Sequence, residues 1–312
     1  MKSKVIPAGL LAVAALTLHT GAATPLQTAD SGAIERHRIF SPQMGDTLTI
    51  DVWMPASYSY GEEPRSVLYM HDGQNLFDKN TTWNGRSWEM DVVADSLENA
   101  KRIYAPLIVG IHSVAETRIG DLCPQRALDY AACELDSMGK ITAGELRGDR
   151  YAAFIVETLK PFIDANYNVS PAPEETYVMG SSMGGLMSLY LLSEYPEVFG
   201  GAGCLSTHWV GSNEDKGCFP EAMMEYMRER LPSPSGHRLY FDYGTGAYDE
   251  NYAPWQPVAD SIARKRGYEE GVNFMTVVAE GATHNEDAWR SRVHIPLQFL
   301  LTPACCKRNK RP

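Results

Sequence analysis

Gly180-Ser181-Ser182-Met183-Gly184 stands between a short apolar run at 176–179 and a run at 185–194 whose apolar residues recur with helical spacing. The order strand, tight turn, helix is the setting that a G-x-S-x-G nucleophile elbow needs. A turn sharp enough to push one hydroxyl out of the top of a sheet brings backbone against backbone, so its neighbours must be small. Gly180, Gly184 and Gly185 supply that room. Ser182, at the centre, is the candidate nucleophile. The first amides of the following helix, beginning with Met183, are the candidate donors to negative charge developing on a bound carbonyl oxygen.

A serine hydroxyl is a poor nucleophile near neutral pH, so the chain must also supply a base and a group that orients it, in the order Ser, acid, His. Open α/β sheets build their sites just past the C-terminal ends of strands. Downstream, 239–243 reads as a strand running into Gly244-Thr245-Gly246-Ala247-Tyr248-Asp249-Glu250-Asn251. A second strand, 274–279, runs into Glu280-Gly281-Ala282-Thr283-His284-Asn285-Glu286. His284 is the candidate base. For the acid, Asp249 is taken first, Asp242 second and Glu250 third. His71, His112 and His208 follow apolar runs and read as structural histidines, with lining of the site as the alternative. His37, His237 and His294 sit among polar residues and read as solvated.

A second oxyanion donor is expected from the loop after an earlier strand. The run 66–70 is such a strand, followed by His71-Asp72-Gly73-Gln74-Asn75-Leu76-Phe77-Asp78. The backbone amide of Gln74 is the candidate, with Gly73 and Asn75 beside it, and an ordinary Asp-Gly turn is the plainer reading. Asp72 and Asn75 here, and His208 and Trp209 after another strand-like run, are candidate substrate-binding residues. Trp83, Trp88, Trp209, Tyr248, Tyr252 and Trp255 fall in segments beside these stretches. Their rings suit stacking on sugars or phenolic acyl groups, or else packing at the rim of a core.

Four motifs in this order, His71 to Asp78, Gly180 to Leu186, Tyr195-Pro196-Glu197-Val198-Phe199, and Thr283-His284-Asn285-Glu286 with Trp289, resemble the putative esterase (esterase D-like) family of α/β-hydrolases. The resemblance runs from about Leu48 to Leu301. The family includes feruloyl and acetyl xylan esterases, enterochelin esterases, S-formylglutathione hydrolases and mycolyltransferases. It implies Ser182 as nucleophile, His284 as base and Asp249 as acid. It also matches Arg118, after the strand at 107–111, to an arginine of a corresponding loop, which makes Arg118 a further candidate substrate-binding residue. Two departures stand out: Gly246-Ala247-Tyr248 lengthens the turn before Asp249, and the residues after Arg118, Cys123 among them, lack the usual acidic-aromatic pattern.

Composition fits one globular α/β domain, with 44% hydrophobic residues in 312. The stretch 150–166 carries an apolar helical stripe through Ala153, Phe154, Val156, Leu159, Phe162 and Ile163, as expected of a helix covering a mostly parallel sheet. The least regular regions, 117–148 and 208–235, read as insertions that overhang the site. Lys2 and Lys4, the apolar stretch 5–18 and Gly21-Ala22-Ala23 read as a secretory signal peptide cleaved near Ala23, with an uncleaved anchor as the alternative. A secreted or periplasmic setting permits disulfides. The pairings Cys123–Cys133 and Cys204–Cys218 would staple the two insertions, and the adjacent Cys305 and Cys306 stay unassigned.

The net charge of −11 argues against nucleic acid and anionic membranes as partners. The cysteines lack zinc-site spacing, and no metal or organic cofactor is expected. The expected activity is ester hydrolysis through an acyl-enzyme, on a small-molecule or carbohydrate ester. Alternatives are acyl transfer from the same intermediate to a sugar or lipid hydroxyl, and a binding protein on a degenerate hydrolase fold.

Overall fold

The computed structural model describes residues 24–26, 32–59, 63–82, 84–131, 145–211 and 218–301. Its strands are β1 (Thr24–Leu26), β2 (Ala33–Ser41), β3 (Asp46–Met54), β4 (Val67–His71), β5 (Leu107–Ile111), β6 (Thr176–Ser181), β7 (Gly201–Leu205), β8 (Arg238–Gly244) and β9 (Phe274–Ala279). Among the described residues they form one sheet in the order β1-β2-β3-β5-β4-β6-β7-β8-β9. The first three strands pair antiparallel and β3 meets β5 antiparallel, while every later pairing is parallel. The helices are α1 (Met90–Asn99), α2 (Arg118–Asp121), α3 (Gly148–Phe154), α4 (Lys160–Asn166), α5 (Met183–Glu194), α6 (Cys218–Arg230), α7 (Gln256–Lys265), α8 (Glu286–Arg292) and α9 (His294–Leu301).

Strands β4 to β7 are buried along their whole length, which is why they read as unbroken apolar runs. Alternate residues divide between two cores. Val67, Tyr69 and Val178 pack with Phe154, Leu189 and Met223 of α3, α5 and α6. Leu68, Met70 and Met179 pack with Met90, Val293 and Leu297 on the α1 and α9 side. A mostly parallel sheet with helices on both faces and an elbow after its central strand is the α/β-hydrolase fold.

The helix expected over 150–166 forms, but not as one regular α-helix. α3 passes through a π turn at Ile155–Leu159 into α4. Pro161 has no N–H to give the preceding turn and its ring crowds the carbonyl four residues back, so widening the ladder there accommodates it. Within the stretch 208–235, α6 covers Cys218–Arg230 and buries Phe219, Met223, Tyr226 and Met227 in the core. In the other stretch, α2 and a 3₁₀ turn at Gln125–Tyr130 are ordered against the core.

Neither expected disulfide pairing forms. Cys123 and Cys204 are free thiols with no exposure, one under α3 and the other in the middle of β7. Burial pushes the Cys123 thiol up to about 12. The leader at 1–23, Trp83, Cys133, Cys305 and Cys306 lie outside the described residues. No helix of the described residues is long and apolar enough to cross a membrane.

Candidate active site

The parallel strands end on one side of the sheet, and the chain turns hardest between β6 and α5. Ser182 sits there at φ 58°, ψ −121°, a conformation closed to most non-glycine residues. It is pinned by neighbours: its N–H donates to Leu205 O at 2.9 Å, and its carbonyl accepts from the amides of Gly185 at 3.0 Å and His208 at 3.3 Å. A Cβ on Gly180 would stand 2.9 Å from the backbone of Gly184 and from His71 Cδ2, so only glycine lets β6 and α5 meet this closely.

His284, after β9, and Asp249, in the 3₁₀ turn Ala247–Tyr252 after β8, meet at 2.6 Å between Nδ1 and Oδ1. Asp249 is wholly buried. Burial opposes its charge, but bonds from His284, Ser206 Oγ (2.6 Å) and the Gly244 amide (2.7 Å) hold the carboxyl below its ordinary range. An ionised carboxylate only accepts, so the imidazole proton is on Nδ1 and Nε2 keeps its lone pair. The long turn before Asp249 closes on itself, with Ala247 at φ 51° and the Gly244 amide capping the carboxylate that ends the turn.

The two other acid candidates are placed differently. Asp242, inside β8, pairs with Arg292 Nη2 at 3.0 Å and accepts from the Tyr240 hydroxyl and the Ser206 amide. Burial pushes its pKa up despite Arg292. Glu250 is exposed to solvent and makes no bond with His284.

The loop after β4 curls over the same ground. Asp72, at φ 56°, opens a single 3₁₀ turn, Gly73–Asn75. Arg118 clamps Asp72 with two bonds of 2.7 Å, and Ser113 Oγ donates to it at 2.6 Å. Burial opposes the Asp72 charge, but the Arg118 charge and the bonds from Arg118 and Ser113 together hold Asp72 below the usual carboxylate range. Gln74 is fixed through its side chain, accepting from Ser113 N at 3.0 Å and donating to Ser113 Oγ at 2.8 Å. Neither the Gln74 amide nor the Met183 amide enters a backbone hydrogen bond among the described residues. Both are free for an acceptor.

A cleft of about 830 Å³ is lined by Ser182, His284, Gln74, Asn75, Asp72 and Arg118, with Asn285, Glu286 and Trp289 on its far wall. Several expected contributors do not reach it. Trp209 is wholly buried and its Nε1 donates to Gln256, and Trp88 packs against Trp289 beneath the cleft. Trp255 borders a separate cavity with Tyr130 and Arg228. The expected stacking platform is therefore largely core. His208 is not in the cleft lining either. It stacks on Tyr248, its Nε2 donates to Gly211 O at 2.8 Å, and its Nδ1 accepts from the Tyr252 hydroxyl at 3.1 Å. Burial lowers its pKa to about 4, which keeps it neutral. Among the described residues of the two expected insertions, Arg118 alone lines the cleft.

His71 and His112 are structural. His71 supports the elbow from below, bonded to the Tyr151 hydroxyl at 2.9 Å, while His112 pairs with Asp51 at 2.8 Å. His37 is not solvated but buried against Tyr167, at 2.6 Å from its hydroxyl. The sequence reading did not single out Ser206 or Arg292. Ser206 Oγ is bonded by Asp249, Trp289 Nε1 (2.9 Å) and Arg292 Nη2 (2.8 Å), and nothing in its local sequence announces this.

Several solved structures share this fold. A ferulic acid esterase superposes with TM-score 0.61 at 16% identity, covering 87% of this chain and 98% of its own. An IroE-like serine hydrolase from Shewanella oneidensis gives 0.65 at 18% identity, covering 86% and 79%. The enterobactin esterase from Shigella flexneri gives 0.60 at 16% identity, covering 88% and 60%. A curated relative, the uncharacterized protein YbbA of Bacillus subtilis (strain 168), is 26% identical over 159 residues, 51% of this chain, and this chain spans only 56% of its length. The model of the Putative esterase family matches residues 41–294, most of the sheet and every element of the cleft, and the chain belongs to that family.

Proposed function

We propose that this protein is a serine esterase that cleaves carboxylic esters through an acyl-enzyme on Ser182. The observation that carries the reading is the 2.6 Å bond from His284 Nδ1 to the buried Asp249, in a cleft that also exposes a serine at positive φ. Ser182 Oγ attacks the ester carbonyl as His284 Nε2 takes its proton. The free amides of Met183 and Gln74 receive the negative oxygen, and His284 passes the proton to the leaving alcohol. Water, activated by the same imidazole, then releases the acid. Asp249 fixes the tautomer and stabilises the imidazolium throughout.

Membership of the Putative esterase family supports the reaction class. Small soluble esters, sugar-linked esters and siderophore-type lactones all fit the reaction. The aromatic platform that would favour phenolic acyl groups is mostly absent from the cleft, where Trp289 is the one tryptophan among the described lining residues. The leader-like segment 1–23, with Lys2, Lys4 and Ala23, supports export to the periplasm or medium. N-terminal sequencing of protein recovered from a secreting host tests that part.

The activity test compares wild type with Ser182→Ala on p-nitrophenyl acetate, p-nitrophenyl butyrate and a feruloyl ester. The expected result is turnover that Ser182→Ala lowers by about a thousandfold or more, with an acyl adduct on Ser182 in trapped samples. Equal rates in both proteins would overturn the proposal. Adding glycerol or a sugar and measuring transesterification separates hydrolase from acyltransferase.

A further inference from the structure

The hydroxyl of Ser206 lies beneath the Asp249–His284 pair, with no exposure to solvent. It has three partners: Asp249 Oδ2 at 2.6 Å, Trp289 Nε1 at 2.9 Å and Arg292 Nη2 at 2.8 Å. Indole and guanidinium nitrogens only donate. Ser206 Oγ must therefore use both its lone pairs on Trp289 and Arg292, and its one proton can go only to Asp249. The direction of this hydrogen bond is fixed by chemistry, not by a choice of rotamer. The backbone is fixed as well. Ser206 follows β7 at φ 40°, and its amide is held by Asp242 through both Oδ1 (3.1 Å) and the main-chain oxygen (2.9 Å). A non-glycine residue at positive φ, saturated at N–H and hydroxyl alike, marks a position over-determined by its surroundings.

The same indole that feeds Ser206 also packs edge-on against His284, ring centres 5.0 Å apart. One small cluster thus touches acid and base together. Arg292 Nη2 stands 3.9 Å from Asp249 Oδ2, too far for a direct bond, so Ser206 relays the donor strength of that buried guanidinium to the carboxylate.

We infer that Ser206 is a positioning residue for the reaction proposed above: its hydroxyl, polarised by Trp289 and Arg292, orients Asp249 and draws off part of its basicity. Asp249 then holds His284 in one tautomer without raising its basicity beyond use. The charged and titratable groups around this pair are Asp242 and Arg292 on the Ser206 side, with Tyr248 and Tyr252 against the His284 ring and His208 behind them. This inference rests on the esterase reading, so its test has a readout independent of turnover.

The experiment uses Ser206→Ala and Ser206→Gly in the full chain. Glycine accepts φ 40° without strain, so the second variant removes the hydroxyl while easing the backbone. Both variants are expected to lower kcat on p-nitrophenyl acetate by about tenfold or more with KM little changed, per active site counted by acyl-enzyme titration. In both, the acidic limb of the kcat/KM profile moves to higher pH, because a carboxylate relieved of one donor binds the imidazolium more tightly. The Nδ1 proton of His284, whose nitrogen stands 2.6 Å from Asp249 Oδ1, is followed by NMR in parallel, and its resonance is expected to shift in both variants. A pH profile and an Nδ1 resonance identical to wild type would overturn the inference, whatever the change in kcat. Absence of Ser182-dependent turnover in the wild type would overturn the esterase reading instead, and the Nδ1 resonance would still decide whether Ser206 orients Asp249.

Discussion

Asp242 and Asp249 are both wholly buried and both lie near Arg292, yet burial and partners push them in opposite directions. Asp249 accepts three hydrogen bonds, one from the imidazole that faces the cleft. Asp242 neighbours the Arg292 charge and the Tyr240 hydroxyl, and it reaches the Asp249–His284 pair only indirectly, through Arg292 and the Ser206 amide. Under the proposed mechanism the first orients the imidazole, and the second holds Arg292. Asp249→Asn should therefore lower kcat by about 10²- to 10⁴-fold with the fold retained, since the amide favours the wrong tautomer of His284. Asp242→Asn should instead cost about 3 kcal/mol of stability by leaving a buried guanidinium without its counter-charge, while the rate per active site changes only several-fold. Steady-state rates normalised to titrated active sites, beside urea unfolding of each variant, separate the two. Loss of rate in Asp242→Asn as large as in Asp249→Asn would contradict the division. Residue order alone could place Asp249 as a candidate but could not rank it by contact. The Ser206 cluster was not legible at all, because its partners come from 249, 289 and 292 and meet only in three dimensions.

At the scale of elements, the loop after β4 and the short helix α2 are held to one another by Arg118 and Asp72. The sequence resemblance offered Arg118 as a substrate contact. The fold spends its guanidinium on a bidentate clamp that keeps Asp72 in its left-handed turn and Gln74 against Ser113. Arg118→Lys keeps the charge but cannot supply two parallel bonds. It should lower kcat by about tenfold through a loosened Gln74 amide, with KM moving less than kcat. A KM effect confined to anionic substrates, with kcat intact, would show instead that Arg118 meets substrate directly. The strands at 107–111 and 274–279 were legible to the residue, and those of β4, β6 and β8 to within one or two, because apolar runs end where polar turns begin. The π turn ahead of α4 and the helix α6 were not. Pro161 does not say how the ladder will absorb it, and α6 mixes Glu and Arg with the Phe, Met and Tyr that it buries. Nor could cysteine spacing foresee that Cys204 points into a sheet face, where Cys218 does not reach it.

For the whole molecule, burial of neutral imidazoles sets the acid limit of stability. His71 and His208 are both lowered to about 4, chiefly by burial, from an ordinary value near 6.5. Between those values the unfolded chain binds protons that the folded chain refuses, so stability rises with pH through the window and is lost as pH falls from about 6.5 toward 4. Asp72, Asp51 and Asp249, held below the ordinary carboxylate range, contribute stability that is present above about 3.8 and lost below it. Asp242, Asp121 and Asp260 are raised and act oppositely, with stability falling as pH rises from their ordinary value through the folded one. The histidine window lies higher than the depressed carboxylates and is met first on acidification. His71 alone, lowered to about 4 in a fully packed position under the elbow, is worth about 3 kcal/mol across that window. Thermal unfolding followed by circular dichroism should therefore show Tm highest near neutrality and already lowered by several degrees at pH 5, before the depressed carboxylates titrate. His71→Gln, which cannot titrate, should start from a lower Tm at pH 7 and lose less of it by pH 5. A wild-type Tm unchanged between pH 7 and pH 5, or equal slopes for the two proteins, would mean that His71 is not held neutral beneath Ser182.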